Sequence, residues 1–166
     1  MKNIISIVVK NNSSVLARVS SLFGRRGFNI DSLSVSTTDD PHISRITVVA
    51  ESDEAGLAQI INQTKKLEET ISVRALKESE SVFRELSLVK ILTTNDEFFD
   101  KFVIELSDRY GAIVVDVTAK SMIVELTGTS DKIDSYMNEL AKAQKEKNFV
   151  ISKVCRTGIT AIERGV

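Results

Sequence analysis

The feature that most restricts the fold of this chain is a duplication. A six-element order of strand, helix, strand, strand, helix, strand can be read once and then again about 80 residues further on. In the first copy "IISIVV" is a short apolar strand. Val15, Leu16, Val19, Leu22 and Phe23 then recur at the spacing of one helix face, in a helix that starts at Ser13 or Ser14 and is stopped by Gly27. "NIDSLSVST" and "ISRITVVAE" read as two strands, Leu33 and Val35 alternating with Ser34 and Ser36, and Ile46 and Val48 with Thr47. The polar loop around Asp40 and Pro41 joins them as a hairpin. A helix from about Ser52 to Leu67 and the strand "ISVRAL" complete the unit.

In the second copy "ELSLVKI" is the first strand and "DEFFDKFVIELSDRYG" a helix ended by Gly111. "AIVVDVT" and "SMIVELTG" form a tight hairpin around Ala119 and Lys120, "SDKIDSYMNELAKAQ" is a helix and "FVISKVC" the last strand. A period this long suits a duplicated small domain rather than a solenoid. We expect an α+β chain of two tandem ferredoxin-like βαββαβ units, residues 1–77 and 78–166, with the charged stretch from Leu76 to Glu85 as the linker. Two helices cover one face of each four-stranded antiparallel sheet, so the other face needs a cover. "IISIVV" and "RITVVAE" carry apolar residues at adjacent as well as alternate positions, which points to an oligomer, to packing between the halves, or to both. "CRTGITAIERGV" reads as a mobile tail or docking segment.

Composition removes several classes of function. Lys plus Arg number 22 against 23 Asp plus Glu, a net charge of -1, so there is no bulk attraction to nucleic acid or to an anionic membrane. An RNA-binding sheet of this topology needs exposed aromatics on its central strands, and "RITVVAE" and "LSLVKI" have none. The amino-terminal apolar run is too short for a signal peptide and no run approaches a membrane span, so a cytoplasmic location is expected. A single cysteine, Cys155, allows no internal disulfide and reads as a small buried hydrophobe. The single histidine, His42, lies in a polar loop beside Asp39 and Asp40, where a solvated loop is the simpler reading than a metal site. "FGRRGFN" follows a helix and precedes a strand, the reverse of a dinucleotide-binding loop. No catalytic residues and no metal ligands are assigned.

One helix start stands apart. The second helix opens with Asp53 and Glu54, the third with Asp96 and Glu97 behind Thr94, the fourth with Asp131 after Ser130, but no carboxylate lies between Asn11 and Phe28. A helix start carries unpaired N–H groups and partial positive charge. The first helix thus presents N–H groups from about Ser13 to Leu16 to an external carboxylate or phosphate, unless Ser13 or Asn12 caps it and water does the rest.

Taken in order over almost the whole chain, "NNSSVLARVSSLFGRRGFNIDSLSV", "ISRITVV", "VVDVT", "VELTGTSDKIDSY" and "VCRTGITAIERG" resemble the regulatory small subunit of acetohydroxyacid synthase, also called acetolactate synthase. The resemblance implies an amino-terminal ACT domain followed by an ACT-like carboxy-terminal domain, and a non-catalytic role. The catalytic large subunit would carry thiamine diphosphate, Mg2+ and FAD, and this chain none. The small subunit would activate that partner and make it sensitive to valine or another branched-chain amino acid. In the family valine sits where two ACT domains of a homodimer meet. Carried over by motif, Asn11, Ser13, Ser14, Val15 and Leu16 would form one side of the site, and Asn29 and Ile30 the other. The family commonly has glycine where this chain has Ser14, a hydroxyl that can cap the helix or crowd the pocket. The alternatives are an ACT-type sensor acting on a different enzyme, or a small enzyme in its own right.

Overall fold

The computed structural model of the chain describes residues 1–92, 97–146 and 149–165. Two compact units are present, Met1–Phe83 together with Gly158–Val166, and Arg84–Thr157. The first contains β1 (Lys2–Lys10), α1 (Val15–Arg25), β2 (Ile30–Thr37), β3 (Ile43–Glu51), α2 (Glu54–Thr64) and β4 (Thr70–Leu76), in the expected βαββαβ order. Its antiparallel sheet has the strand order β2-β3-β1-β4, so β2 is an edge. Ile5, Ile7, Ile46, Val48 and Val73 pack from one sheet face against Val15, Val19 and Phe23 of α1 and Ile60 of α2. This is the face that alternation selects, because successive side chains leave a strand on opposite sides.

The opposite face is not bare. Ser6, Thr47 and Val49, which alternate with the core residues, are also buried. Part of their surroundings comes from the far end of the same chain, where β9 (Thr160–Glu163) follows Gly158. Ala161 is buried, and the Glu163 carboxylate lies 3.9 Å from Arg45 Nη1 and 3.6 Å from Arg74 Nη1. Arg45 in turn donates to Ser6 Oγ at 2.9 Å. Gly158 has φ +73°, and a Cβ there would come within 2.8 Å of Ser32 Cβ. Of the two readings of this segment, mobile tail or docking segment, the second holds: Gly158–Val166 groups with the first compact unit, while Arg84–Thr157 forms the second. Nothing near "ITAIE" in the sequence reveals arginines more than 80 residues upstream, so this docking has no local signature. The expected linker is also shorter: after one 3-10 turn at Glu78–Glu80, β5 (Ser81–Leu92) begins and pairs with β9.

The second unit continues through β5 into α3 (Glu97–Tyr110), β6 (Ile113–Thr118), β7 (Ser121–Gly128), α4 (Ser130–Gln144) and β8 (Val150–Arg156), with the sheet order β6-β7-β5-β8. Val89, Ile91, Val124 and Leu126 pack against Val103 and Leu106 of α3 and Ile133, Tyr136 and Leu140 of α4. The two-residue turn at Ala119 and Lys120 is held by Thr118 Oγ1, which accepts from the N–H groups of Lys120 and Ser121 at 3.3 and 3.0 Å. At one end of this core the buried Glu85 carboxylate accepts from Arg156 Nε and Nη2, both at 2.7 Å, and from Ser130 Oγ at 3.0 Å. Arg156 Nη1 also donates to Asp134 Oδ1 at 2.6 Å, and these two carboxylates hold its guanidinium well above the usual arginine range.

Candidate functional site

Helix starts differ here in geometry as well as in charge. Asp53 caps α2 by accepting from Gly56 N–H at 2.8 Å, and Thr129 caps α4 by accepting from Lys132 N–H at 3.4 Å, with Asp131 in the first turn. The capping box read from Thr94 lies outside the described residues. At α1 the residue in the cap position is Ser14, with φ 71° and ψ -2°, no side-chain cap hydrogen bond and no acid in the first turn. Ser14 is the one non-glycine residue with positive φ among the described residues. A capping serine needs extended backbone to turn its hydroxyl back over the first turn, and left-handed backbone does not allow this. The expectation that the Ser14 hydroxyl can cap the helix is thus corrected. The position is one where glycine is the unstrained choice.

Beside this start lies a shallow cleft of about 60 Å³, lined by residues that include Asn11, Asn12, Val15, Leu16, Val35 and Ser44. That volume is far below the roughly 300 Å³ of a pocket that engulfs a small molecule, so the cleft is at most part of a site. Lys10 also contributes to its wall, and no carboxylate does. Among the described residues the N–H groups of Leu16 and Ala17 have no protein acceptor, whereas that of Val15 reaches Asn12 O at 3.4 Å. Asn11 ties the neighbouring loop down, its Nδ2 donating to Pro41 O at 2.9 Å and its backbone N–H to His42 O at 2.7 Å. His42 N–H donates to Asp40 Oδ1 at 2.8 Å, in an exposed turn. The cleft is therefore apolar at Val15, Leu16 and Val35, and rich in donors at the helix start.

The residues expected to form the site are not all together in one chain. Asn11, Val15 and Leu16 line the cleft, and Ser13 and Ser14 form the turn into α1 beside it. Asn29 and Ile30 sit at the other end of β2, where Ile30 pairs with Ala50, while the cleft end of β2 pairs Thr37 with Ser44. By strand rise the two ends are about 25 Å apart. Asn29 Nδ2 donates to Asp31 Oδ1 at 3.1 Å, which leaves its Oδ1 as an acceptor. Val35 and Ser44 were missed from sequence. They reach the cleft through the β2–β3 register, which pairs Val35 with Ile46 and Thr37 with Ser44, and the alternation of the hairpin was the available signal.

The first unit, a βαββαβ module whose uncapped, acid-free first helix starts beside a small cleft, is an ACT domain by the profile that matches it. The family profile of the acetohydroxyacid synthase small subunit-like ACT domain matches residues 5–72, and that of the small subunit of acetolactate synthase matches residues 84–165. The chain is 40% identical to a probable acetolactate synthase small subunit of Archaeoglobus fulgidus, over 99% of this chain and 98% of that one. It is 37% identical to the acetolactate synthase small subunit of Haemophilus influenzae, over 99% and 97%. The crystal structure of the Thermotoga maritima acetolactate synthase small subunit superposes with a TM-score of 0.88 at 29% identity, covering 100% of this chain and 99% of that one. The chain belongs to the acetolactate synthase small-subunit family. Among the described residues no helix is long and apolar enough to cross a membrane, and no group of three or more His, Cys, Asp or Glu side chains is placed to hold a metal.

Proposed function

We propose that this chain is a cytoplasmic regulatory subunit without an active site of its own, which activates the catalytic subunit of acetolactate synthase and makes it sensitive to feedback by valine or another branched-chain amino acid. Thiamine diphosphate, Mg2+ and FAD belong to the catalytic partner. The observation that carries the reading is the first helix start: it has neither an acid nor a side-chain cap, and it opens onto a cleft that offers apolar wall at Val15, Leu16 and Val35 and holds no carboxylate.

The effector carboxylate accepts from the N–H groups at the start of α1, and its aliphatic side chain lies against Val15, Leu16 and Val35. Its ammonium needs an acceptor, and Asn29 Oδ1 and the backbone at Ile30 are suited to this. They come from a second protomer, because within one chain they lie at the far end of the sheet. The edge position of β2 supports this arrangement. Antiparallel pairing of two β2 strands about a twofold axis sets the Val35–Thr37 end of one against the Ile30 end of the other, and it satisfies two rows of edge N–H and C=O groups. An effector held between protomers favours one arrangement of the pair, and it changes the partner enzyme only by its differential affinity for the two arrangements.

The experiment is an acetolactate assay with the catalytic subunit, with and without this chain and valine, for the parent and for Ser14→Asp. An aspartate tolerates left-handed backbone and leaves the unit folded. It also sets a negative charge beside the effector carboxylate and competes for the same donors, at a cost of about 1.5–3 kcal/mol, or roughly tenfold to a hundredfold in affinity. The variant should still activate and should resist valine. Undiminished valine affinity by calorimetry in a folded Ser14→Asp chain would remove the helix start as the carboxylate site. Valine binding with no effect on acetolactate formation would point to an ACT-type sensor for a different enzyme.

A further inference from the structure

Cys155, read from sequence as a buried hydrophobe, is exposed, but a lone thiol defines no site. A better-built feature lies at the start of β2. Phe28 and Ile30 pack against the first core, and Asn29 between them is exposed. Ile30 pairs with Ala50 and Ser32 with Val49, so two residues of β2 span one step of β3 and Asp31 is the extra residue of a bulge. Bulges re-aim side chains and recur beside functional sites. Here the bulged residue carries a carboxylate on an edge strand, and its side chain is only 27% exposed.

Both oxygens of that carboxylate are engaged. Asp31 Oδ1 accepts from Asn29 Nδ2 at 3.1 Å, and Asp31 Oδ2 lies 3.6 Å from Lys2 Nζ. An ionised carboxylate only accepts, whereas an amide has one accepting and one donating end of nearly the same shape. Beside Asp31 the Asn29 amide therefore has one favourable orientation, nitrogen toward the carboxylate and oxygen away from it. Lys2 occupies the other carboxylate oxygen and leaves Asp31 Oδ1 to the amide.

The orientation has a chemical consequence for what the amide can recognise. An ammonium needs acceptors, and Asn29 Oδ1 is one. The 2-oxo acid with the same aliphatic chain carries a carbonyl oxygen in place of the ammonium, and an accepting oxygen repels it. Turning the amide over would receive that carbonyl, but it would also set the amide oxygen against Asp31 Oδ1. We propose that Asp31 is a positioning residue which, by fixing the Asn29 amide, makes the effector site select an amino acid over its 2-oxo analogue. This rests on the reading of the site given above and adds the group that sets its preference for an ammonium. Specificity of this kind comes as much from what a site repels as from what it holds.

The test is calorimetry on the full chain with L-valine and with 2-oxo-3-methylbutanoate. The parent should prefer valine by at least about a hundredfold, because the 2-oxo acid leaves Asn29 Oδ1 facing another acceptor. In Asp31→Asn, a near-isosteric change, the side chain donates as well as accepts, and the Asn29 amide is free to turn. Valine should weaken by about tenfold, and the 2-oxo acid should bind more tightly than to the parent. That gain is a readout that a merely structural role would not move. Asp31→Glu keeps an accepting carboxylate and should keep the parent's preference to within about threefold. Asp31→Ala holds the amide in neither orientation and should behave as Asp31→Asn does, so the result does not hang on one variant; circular dichroism checks that each is folded. Ser14→Asp separates this inference from the reading beneath it. If Ser14→Asp loses valine while folded Asp31→Asn and Asp31→Ala keep the parent's preference, or weaken both ligands equally, the positioning role is overturned and the helix-start reading stands. If Ser14→Asp binds valine undiminished, both fall.

Discussion

Replacing Ser14 with glycine should stabilise the first unit. The serine has φ 71° and ψ -2° and makes no cap hydrogen bond, so the substitution removes a Cβ from left-handed backbone and breaks no bond that the helix uses. An L-residue pays about 1–2 kcal/mol for that conformation, and glycine returns about 0.5–1 kcal/mol of this as extra freedom in the unfolded chain. The net gain is about 0.5–1 kcal/mol, readable in urea unfolding as a higher midpoint at unchanged slope. Ser14→Ala is the companion that identifies the cause. Alanine keeps the Cβ and loses only the hydroxyl, so it should be near neutral. If Ser14→Ala instead costs about 1 kcal/mol, the hydroxyl is capping α1 after all and the reasoning from left-handed backbone is refuted. Glycine at this position should also leave valine binding intact, since the N–H groups of Leu16 and Ala17 are undisturbed.

Gly158→Ala should destabilise the first unit by about 2 kcal/mol, because φ +73° and a 2.8 Å approach to Ser32 Cβ act together; limited proteolysis should then release the carboxy-terminal segment, and a neutral result would mean that the segment does not pack there. Glu85→Gln should cost about 2–3 kcal/mol in chemical unfolding, since it removes the charge from a buried acceptor of two arginine hydrogen bonds; a change below about 0.5 kcal/mol would show the pair to be incidental. The chain has two tyrosines and no tryptophan, so phenolate absorbance reports on these two alone. Burial holds Tyr136 above its usual 10.0, and the hydrogen bond that Tyr110 donates to Glu139 at 2.6 Å holds Tyr110 above it too. Raised values favour the neutral phenols of the folded state. Their contribution is therefore complete below about pH 10 and is lost as pH rises through the folded values. Stability should fall above pH 10, less steeply in Tyr136→Phe, and a tyrosine titrating below 10 in the folded protein would contradict the assignment.

The order of elements was legible in the residues because it rests on local periodicity. Leu33 and Val35 alternate against serines, Val15, Val19 and Phe23 return to one helix face, and neither pattern needs a distant partner to be read. The missing carboxylate at the start of α1 was legible for the same reason, since helix charge acts over a single turn. What only the tertiary structure decided depends on chain segments far apart in sequence. Glu163 meets Arg45 and Arg74, Gly158 meets Ser32, and the carboxy-terminal segment thereby joins the first unit rather than trailing from the second. Arg156 finds Glu85 across 71 residues, a pairing that no local pattern announces. The backbone of Ser14 is a tertiary matter as well. A serine before a helix suggests a cap, and its left-handed geometry follows from joining the end of β1, which Asn11 holds to the β2–β3 loop, to a helix whose Val15 and Val19 must reach the core. Packing of Val15 and Val19 there outweighs the strain at one residue.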